Sequence, residues 1–219
     1  HEYTYSRETA LFGTEHPDVY DNSIRYVNDA YSLLRQALID SGNLTRTIVV
    51  LVSDHGEAFR ERGIEGHARK VYRETTETPF IIGLPFELEE EVVISSRTHN
   101  VDVWPTILEL LGLPTLDDPD GVSRMPEMRA ALSGQRSASP VEPAETGYSY
   151  LDQSWGNATM PSLPTVSVIE DPYRYVFSQE PDGVRREELF DASADPAELE
   201  DVLEDRPEVA ERLRESARE

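Results

Sequence analysis

The fold is decided by one stretch, Thr47-Ile48-Val49-Val50-Leu51-Val52-Ser53-Asp54-His55-Gly56-Glu57, in which an apolar run leads into an acid, an imidazole and a glycine. A short apolar run rich in β-branched residues is typical of a strand covered on both faces, as in a parallel sheet between helices. Ligands of such sheets bind beyond the carboxyl ends of the strands. Asp54 and His55 stand at that end, where a carboxylate oxygen and an imidazole nitrogen can converge on a divalent cation. We expect Gly56 to let the backbone turn away sharply. The alternative is a strand followed by an ordinary polar turn.

The net charge of the chain limits the classes of partner that it can bind. Its 219 residues carry 43 acids against 20 bases, a formal charge of -23, and Lys70 is its only lysine. An acidic surface of this kind repels nucleic acid and anionic membranes. Because the acids are scattered and the hydrophobic periodicity persists, we interpret them as a solvated surface. Such a composition predicts adaptation to high salt, where screening removes most of the self-repulsion.

Cysteine is absent, which excludes disulfides, thiolate ligands and a cysteine nucleophile within these residues. No run approaches the roughly 18 apolar residues of a membrane span, and no charged-then-apolar leader opens the sequence. The first residue is His1, which indicates a processed, trimmed or incompletely represented polypeptide. Cellular location, cytoplasmic or exported, stays open.

The periodicity of the first half predicts alternating helices and strands. Apolar residues at steps of three and four predict a helix over residues 21–41. Strands are predicted at 47–52 and 80–84, and a helix at 102–111. This alternation is typical of an α/β fold.

The second half predicts a smaller subdomain. Residues 114–164 are rich in Pro, Ser, Gly and Asp, and we expect mostly loops there. Two strand-like runs flank Pro181-Asp182-Gly183, which predicts an antiparallel hairpin. Asp195-Pro196-Ala197-Glu198 fits a capping box and predicts one or two terminal helices.

Several motifs follow one another along the chain in a characteristic order. They are Asp54-His55-Gly56-Glu57, Tyr72 followed by Pro79 and an apolar strand, Asp102-Val103-Trp104-Pro105-Thr106, Leu110-Leu111-Gly112-Leu113-Pro114, Glu188-Leu189-Phe190-Asp191, and Asp195-Pro196 with Glu198. Their order resembles the C-terminal half of sulfatases and their relatives in the alkaline phosphatase superfamily. The resemblance spans nearly the whole chain. It implies a mostly parallel sheet flanked by helices, incomplete at its N-terminus, with a small C-terminal antiparallel sheet and a terminal helix. We divide the chain accordingly into residues 1–135, part of the catalytic domain, and residues 136–219, the smaller subdomain.

The resemblance also implies a metal site. The strand-end Asp and its neighbouring His or Asn bind the metal in this family, which assigns Asp54 and His55. The ion is calcium in many sulfatases and manganese or zinc in several relatives. An imidazole ligand disfavours calcium, which prefers oxygen donors, and favours a transition metal. Such an ion would act as a Lewis acid on sulfate or phosphate oxygens.

Three residues are candidates for contact with the substrate. Lys70 stands two residues before Tyr72, close to where the family places a substrate-binding lysine, and an ammonium can offset charge on a leaving group. His67 competes for this role, because relatives with the Asp-His-Gly-Glu variant often carry a histidine there. His1 lies in a stretch similar to a degraded His-x-Pro-Tyr motif. The remaining histidines, His16 and His99, we interpret as structural.

Two family features are not found in this sequence. The paired aspartates of the first strand and the Cys/Ser-x-Pro-x-Arg nucleophile motif have no counterpart, and Ser137-Ala138-Ser139-Pro140-Val141 lacks the arginine. Two metal ligands are fewer than a stable site needs. We therefore expect a sulfatase-like polypeptide that supplies part of an active site, is completed by a missing N-terminal segment, and has negligible activity alone.

Three functions stay open. The first is metal-dependent hydrolysis of a small-molecule or glycan sulfate ester. The second is phosphoryl chemistry, as a phosphonate or phosphate ester hydrolase or a phosphoglycerol-type transferase. The third is a non-catalytic remnant or binding module. Neither the substrate nor the oligomeric state is encoded in a recognisable motif.

Overall fold

A computed structural model describes residues 3–67, 69–88, 91–94, 96–133, 146–155, 157 and 159–218. The chain divides into two compact units. The first comprises His1–Val52 with Pro79–Glu89, and the second comprises Ser53–Thr78 with Glu90–Glu219. The predicted boundary between residues 135 and 136 lies outside the described residues and stays a prediction.

The first unit contains a long helix, α1, over His16–Asp40, which confirms the predicted helix and begins five residues earlier. Glu15 and Asp18 form a reciprocal capping box that satisfies amide groups at its start. Most of the apolar residues whose spacing predicts the helix are nevertheless exposed, namely Ile24, Val27, Tyr31 and Leu34. The helix therefore presents an apolar stripe that the described residues leave open to solvent.

Strands β1, Val49–Val52, and β4, Phe80–Gly83, also belong to the first unit and form where the sequence predicts them. They run antiparallel, with Val49 opposite Gly83 and Val52 opposite Phe80. Several of their apolar side chains, such as Leu51 and Ile81, are exposed. The expectation that β1 is buried on both faces beside a parallel neighbour is thus wrong for this pair, because an apolar run does not encode strand direction. Every strand pair within the described ranges is antiparallel.

The second unit begins with residues 53–78, which we call the site loop. Within it, β2, Ala58–Phe59, pairs with β3, Glu65–Gly66, in a two-stranded antiparallel ladder. The short helix α2, Arg73–Thr76, closes the loop. This loop carries most of the residues that the sequence marks as functional.

Two short helices follow the site loop along the chain. A 3₁₀ turn over Asn100–Asp102 leads into α3, Val103–Leu110, and α4 covers Met125–Leu132. Asp102 is buried and accepts hydrogen bonds from the amide of His99 at 2.8 Å, the amide of Val122 at 2.9 Å and Nε of Arg124 at 2.8 Å. The family-like motif that begins at Asp102 is therefore explained by folding, because its carboxylate ties these segments together.

A four-stranded antiparallel sheet forms the rest of the second unit. Its strands, in spatial order, are β5, Gly147–Asp152, β6, Pro164–Glu170, β7, Tyr173–Gln179, and β8, Arg185–Asp191. The β7–β8 hairpin confirms the prediction, and Gly183 in its turn has φ of +84°. The terminal helix α5 covers Pro207–Ser216.

Both faces of this sheet are covered. On one face Val168, Tyr175 and Leu189 pack against Ala210 and Leu213 of α5. On the other face, Val176 and Phe190 pack against Val71 and Tyr72 of the site loop. Adjacent residues of β7 thus serve opposite cores, as the period of two in a strand requires. The site loop is consequently packed directly on the C-terminal sheet.

Two features of the C-terminal region differ from expectation. Strand β5 lies in a stretch predicted as loops, because Pro, Ser and Gly in the neighbouring residues mask its short alternating pattern. The predicted capping box begins no helix there. Asp195 instead accepts amides within consecutive turns, Glu198 has φ of +54°, and α5 begins only at Pro207. No helix in the described part of the chain has the length and apolarity needed to cross a bilayer.

Candidate metal and ester site

Asp54 and His55 follow β1 along the chain, and their side chains lie close to each other. Nδ1 of His55 lies 2.8 Å from the carbonyl oxygen of Gly56. Because a carbonyl only accepts, Nδ1 carries the hydrogen, and in the neutral ring Nε2 presents its lone pair. Nε2 lies 3.8 Å from Oδ1 of Asp54, and two ligand atoms on one tetrahedral zinc ion are roughly 3.4 Å apart. The side chains of Asp54 and His55 are 88% and 41% exposed, so an ion can reach them.

The backbone that carries this pair is held by two polar side chains. Nδ2 of Asn100 donates to the carbonyl oxygens of Ser53 at 3.1 Å and Asp54 at 3.2 Å. The Ser53 hydroxyl donates to the carbonyl oxygen of His55 at 2.7 Å. Sequence reasoning missed Asn100, because a lone asparagine far along the chain carries no local signal of this contact.

Gly56 is required for a different reason from the one expected. Its amide donates to the carbonyl oxygen of Thr75 at 2.9 Å, which brings α2 against the loop. A Cβ at this position would overlap the carbonyl oxygen of Glu74 and lie 3.1 Å from that of Glu77. The φ angle of Gly56 is not positive, so a left-handed backbone does not explain the glycine. Glycine is needed because two backbones approach closely.

His67 is brought directly onto the strand-end pair. Its ring stacks on that of His55, with 3.8 Å between centroids and 20° between planes. Its Nδ1 lies 2.8 Å from Oε2 of Glu57. Donor atoms of His55, Glu57 and His67 all lie within 4.8 Å of one another. Sequence reasoning quoted Glu57 as part of the motif and gave it no role, although its position two residues after His55 was the available signal.

Lys70 has a different environment from His67. Its ammonium pairs with Glu180, and its side chain is only 10% exposed. The Ser178 hydroxyl also donates to Glu180, at 2.9 Å. Burial acts to raise the pKa of Glu180, but the hydrogen bonds from Lys70 and Ser178 outweigh it and hold that pKa below its usual value. The substrate contacts predicted for His67 and Lys70 stay predictions, as does that of His1, which lies outside the described residues.

The loop is also tied to the sheet by an aromatic and cationic cluster. The Tyr72 hydroxyl donates to Glu188, and Cζ of Arg62 lies 4.4 Å from the Tyr72 ring centroid. Arg62 pairs with Glu74 and donates to the carbonyl oxygen of Glu198. Burial raises the pKa of Tyr72 well above its ordinary value, and the hydrogen bond to Glu188 raises it further. Tyr72 therefore remains a neutral donor.

A buried ion pair completes this connection. Nε of Arg174 donates to Oε2 of Glu198 at 2.6 Å, and its Nη1 donates to the Thr76 hydroxyl at 3.1 Å. Burial lowers the pKa of Arg174, and Glu198 opposes that effect. We use the name anchor for Arg62, Lys70, Tyr72, Arg174, Glu180, Glu188 and Glu198. The anchor connects the site loop to the C-terminal sheet and the segment that follows it, through contacts between side chains of both regions.

Comparisons with known proteins agree with this architecture. The family model described as "Sulfatase" matches residues 1–113, and that described as "N-sulphoglucosamine sulphohydrolase, C-terminal" matches residues 66–218. Arylsulfatase K of Xenopus laevis is 30% identical over 177 residues, which are 81% of this chain and 32% of that protein. The chain thus spans about a third of the length of this curated relative.

Solved structures show the same fold. A 2-O GAG sulfatase has a TM-score of 0.71 at 24% identity, over 91% of this chain and 40% of that one. The phosphonate monoester hydrolase of Agrobacterium radiobacter has a TM-score of 0.65 at 22% identity, over 91% of this chain and 39% of that one. These likenesses confirm the predicted alkaline phosphatase-like fold class, even though the strand pairs described above are antiparallel. The two family models, which match residues 1–113 and 66–218, establish that the chain belongs to the sulfatase family.

Proposed function

We propose that this chain supplies part of the active site of a metal-dependent sulfuric ester hydrolase, with Asp54 and His55 as metal ligands. The observation that carries the proposal is the 3.8 Å separation of Asp54 Oδ1 and His55 Nε2, with Nδ1 of His55 turned to the carbonyl oxygen of Gly56. One oxygen and one nitrogen donor suit manganese or zinc better than calcium. When bound, the ion would polarise an ester oxygen as a Lewis acid.

We assign contact with the transferred group first to His67. Its ring lies on that of His55, so a group bound beside the metal ligands would be within reach of its Nε2. Lys70 would first have to leave Glu180, which makes it the weaker candidate. For His1 we propose the contact with the substrate that the family motif suggests.

Metal binding by the purified chain tests the ligand assignment. Titration with Mn²⁺ and with Zn²⁺, followed by calorimetry, is expected to show one weak site per chain, because two ligands form an incomplete shell. Asp54→Asn and His55→Ala should each abolish it. Asp29→Asn, which removes one exposed carboxylate from α1, is the matched control and should bind as the unaltered chain does. Equal binding by Asp54→Asn would refute the assignment.

Sulfate esters are the proposed substrates, because the family models and relatives are sulfatases. The likeness to a phosphonate monoester hydrolase supports phosphoryl chemistry as the second candidate. The rates at which the completed enzyme hydrolyses an aryl sulfate and an aryl phosphonate distinguish these two activities. We expect negligible turnover of either ester by the 219 residues alone. Measurable aryl sulfate hydrolysis that is lost in Asp54→Ala would show that the chain is self-sufficient.

We further propose that the apolar stripe of α1 is covered by the remainder of a sulfatase catalytic domain. The stripe is exposed, and the chain spans about a third of the length of its relative. Hydrogen exchange of α1 should slow at least tenfold in a polypeptide extended upstream to the length of the relatives. Unchanged exchange would show that the stripe lies on the surface of the whole enzyme.

Adaptation to high salt stays a proposal that rests on the charge of -23. Screening of acidic self-repulsion should raise the free energy of unfolding as salt increases. Urea unfolding in 0.05 M and 2 M KCl measures this effect. A chain that is equally stable in both would refute the proposal.

A further inference from the structure

The contact between Glu57 and His67 determines which ring nitrogen is available. Oε2 of Glu57 lies 2.8 Å from Nδ1 of His67, and the two side chains are 7% and 30% exposed. An ionised carboxylate only accepts hydrogen bonds, so Nδ1 must carry the hydrogen. Nε2 is then the ring nitrogen left to interact with anything else.

We propose that Glu57 is a positioning residue that fixes the ring orientation and tautomer of His67 and reserves its Nε2 for an oxygen of the bound ester. The inference rests on the proposed function, in which His67 contacts the transferred group. A carboxylate that orients an imidazole through Nδ1–H is a recurrent device at catalytic and metal sites. Here the stacked ring of His55 covers one face of the His67 ring. The contact between Glu57 and Nδ1 opposes rotation of the His67 ring about its Cβ–Cγ bond.

The same three residues suggest one competing arrangement. Two imidazoles and a carboxylate within 4.8 Å are a donor set that zinc accepts. The existing hydrogen bond argues against it, since Glu57 already uses Oε2 to hold Nδ1–H and is almost completely buried. Direct binding of one ion by His55, Glu57 and His67 would overturn the proposal.

Nuclear magnetic resonance of the ¹⁵N-histidine-labelled chain, without metal or substrate, tests the proposal. At about pH 9, well above the ordinary histidine pKa, the tautomer of the neutral ring is read from its two nitrogen shifts. We expect His67 to be the Nδ1–H tautomer. In Glu57→Leu, which removes the acceptor from a nearly buried position, the ring should become a mixture of both tautomers. Glu61→Leu removes an exposed carboxylate from the same loop and should leave the His67 shifts unchanged.

Three results would overturn the inference. One is an Nε2–H tautomer in the unaltered chain, a reading that needs no variant to fold. Another is a persistent Nδ1–H tautomer in a folded Glu57→Leu protein. The third is Zn²⁺ binding that shifts Nε2 of both histidines, removes the Nδ1–H contact and is lost in Glu57→Leu. Because no metal or ester is needed for the first two readings, failure here is distinguishable from failure of the Asp54 and His55 assignment.

Discussion

The Asp54–His55 pair lies in the site loop, and the anchor links the same loop to the C-terminal sheet. The polar groups of the two regions nevertheless have opposite environments. In the anchor, Arg174 and Glu198 are 3% and 5% exposed and satisfy each other. At the strand end, the side chains of Asp54 and His55 are 88% and 41% exposed. The contrast is between polar groups that are paired inside the protein and polar groups that stay accessible to solvent. Paired, buried groups hold the loop in place, whereas the accessible pair is the one that we propose as metal ligands.

This division explains why distant motifs occur together in one chain. Tyr72 meets Glu188 and Phe190, and the backbone and carboxylate of Glu198 meet Arg62 and Arg174. The motifs that carry the family resemblance near the C-terminus are therefore the other half of the support for the site loop. We therefore expect these C-terminal motifs to act indirectly, by holding the site loop in position.

The largest effect is expected from breaking the buried pair of the anchor. Arg174→Met should lower the free energy of unfolding by about 3–5 kcal/mol, because it leaves the Glu198 carboxylate buried without a partner. Urea unfolding followed by far-ultraviolet circular dichroism measures the loss.

Two further variants control this experiment. The double variant Arg174→Met/Glu198→Leu removes both charges and should recover most of the lost stability. Arg212→Ala breaks the exposed pair with Glu170, at 3.1 Å, and should cost less than about 1 kcal/mol. If Arg174→Met were as mild as Arg212→Ala, the anchor would not be a stabilising element.

Gly56→Ala tests the close approach between Gly56 and the backbone of α2. The new methyl group would overlap the backbone of α2, so we expect a loss of about 2–3 kcal/mol from local displacement. Metal binding should weaken as well, because Asp54 and His55 precede the displaced segment. Gly83→Ala is the matched control, since its Cβ would lie at ordinary contact distance, 3.6 Å from the carbonyl oxygen of Val49. Equal stability of both variants would contradict the close-approach argument.

Tyr72→Phe should have a smaller effect. The substitution keeps the ring under Arg62 and removes only the hydroxyl that donates to Glu188. Because Glu188 is half-buried, water can replace part of that bond, and we expect a cost of about 1 kcal/mol. Thermal unfolding compared with Tyr148→Phe, an exposed tyrosine of β5, isolates the hydroxyl contribution. A cost equal to that of the control would show that the hydroxyl adds nothing to the anchor.

Local features of this chain were predictable from its sequence. The helix α1, the strands β1 and β4 and the β7–β8 hairpin follow from periodicity and turn residues that lie next to one another. Asp54 and His55 stood out for the same reason, since a strand end followed by acid and imidazole is a contiguous pattern. Their roles still await the binding experiment.

Features that depend on distant partners were not predictable. Glu198 fits a helix cap by spacing, but the buried guanidinium of Arg174 competes for its carboxylate and the helix does not form there. Lys70 attracts attention as the only lysine, whereas its partner Glu180 lies more than a hundred residues away. Asn100 and Glu57 acquire their contacts only once the loop is folded. Strand direction was equally invisible in the apolar run of β1.

The smallest change in stability is expected at the proposed metal-binding pair, where Asp54→Asn should alter the free energy of unfolding by less than about 0.5 kcal/mol without metal. An exposed carboxylate contributes little to folding, and the amide still accepts the hydrogen bond from the amide of His55. Metal reveals the difference: at a concentration of Mn²⁺ near 100 times its Kd, the unaltered chain should gain about 2.7 kcal/mol. Asp54→Asn should gain none of this. A variant that lost stability in the absence of metal would place Asp54 with the anchor and remove the distinction between the two regions.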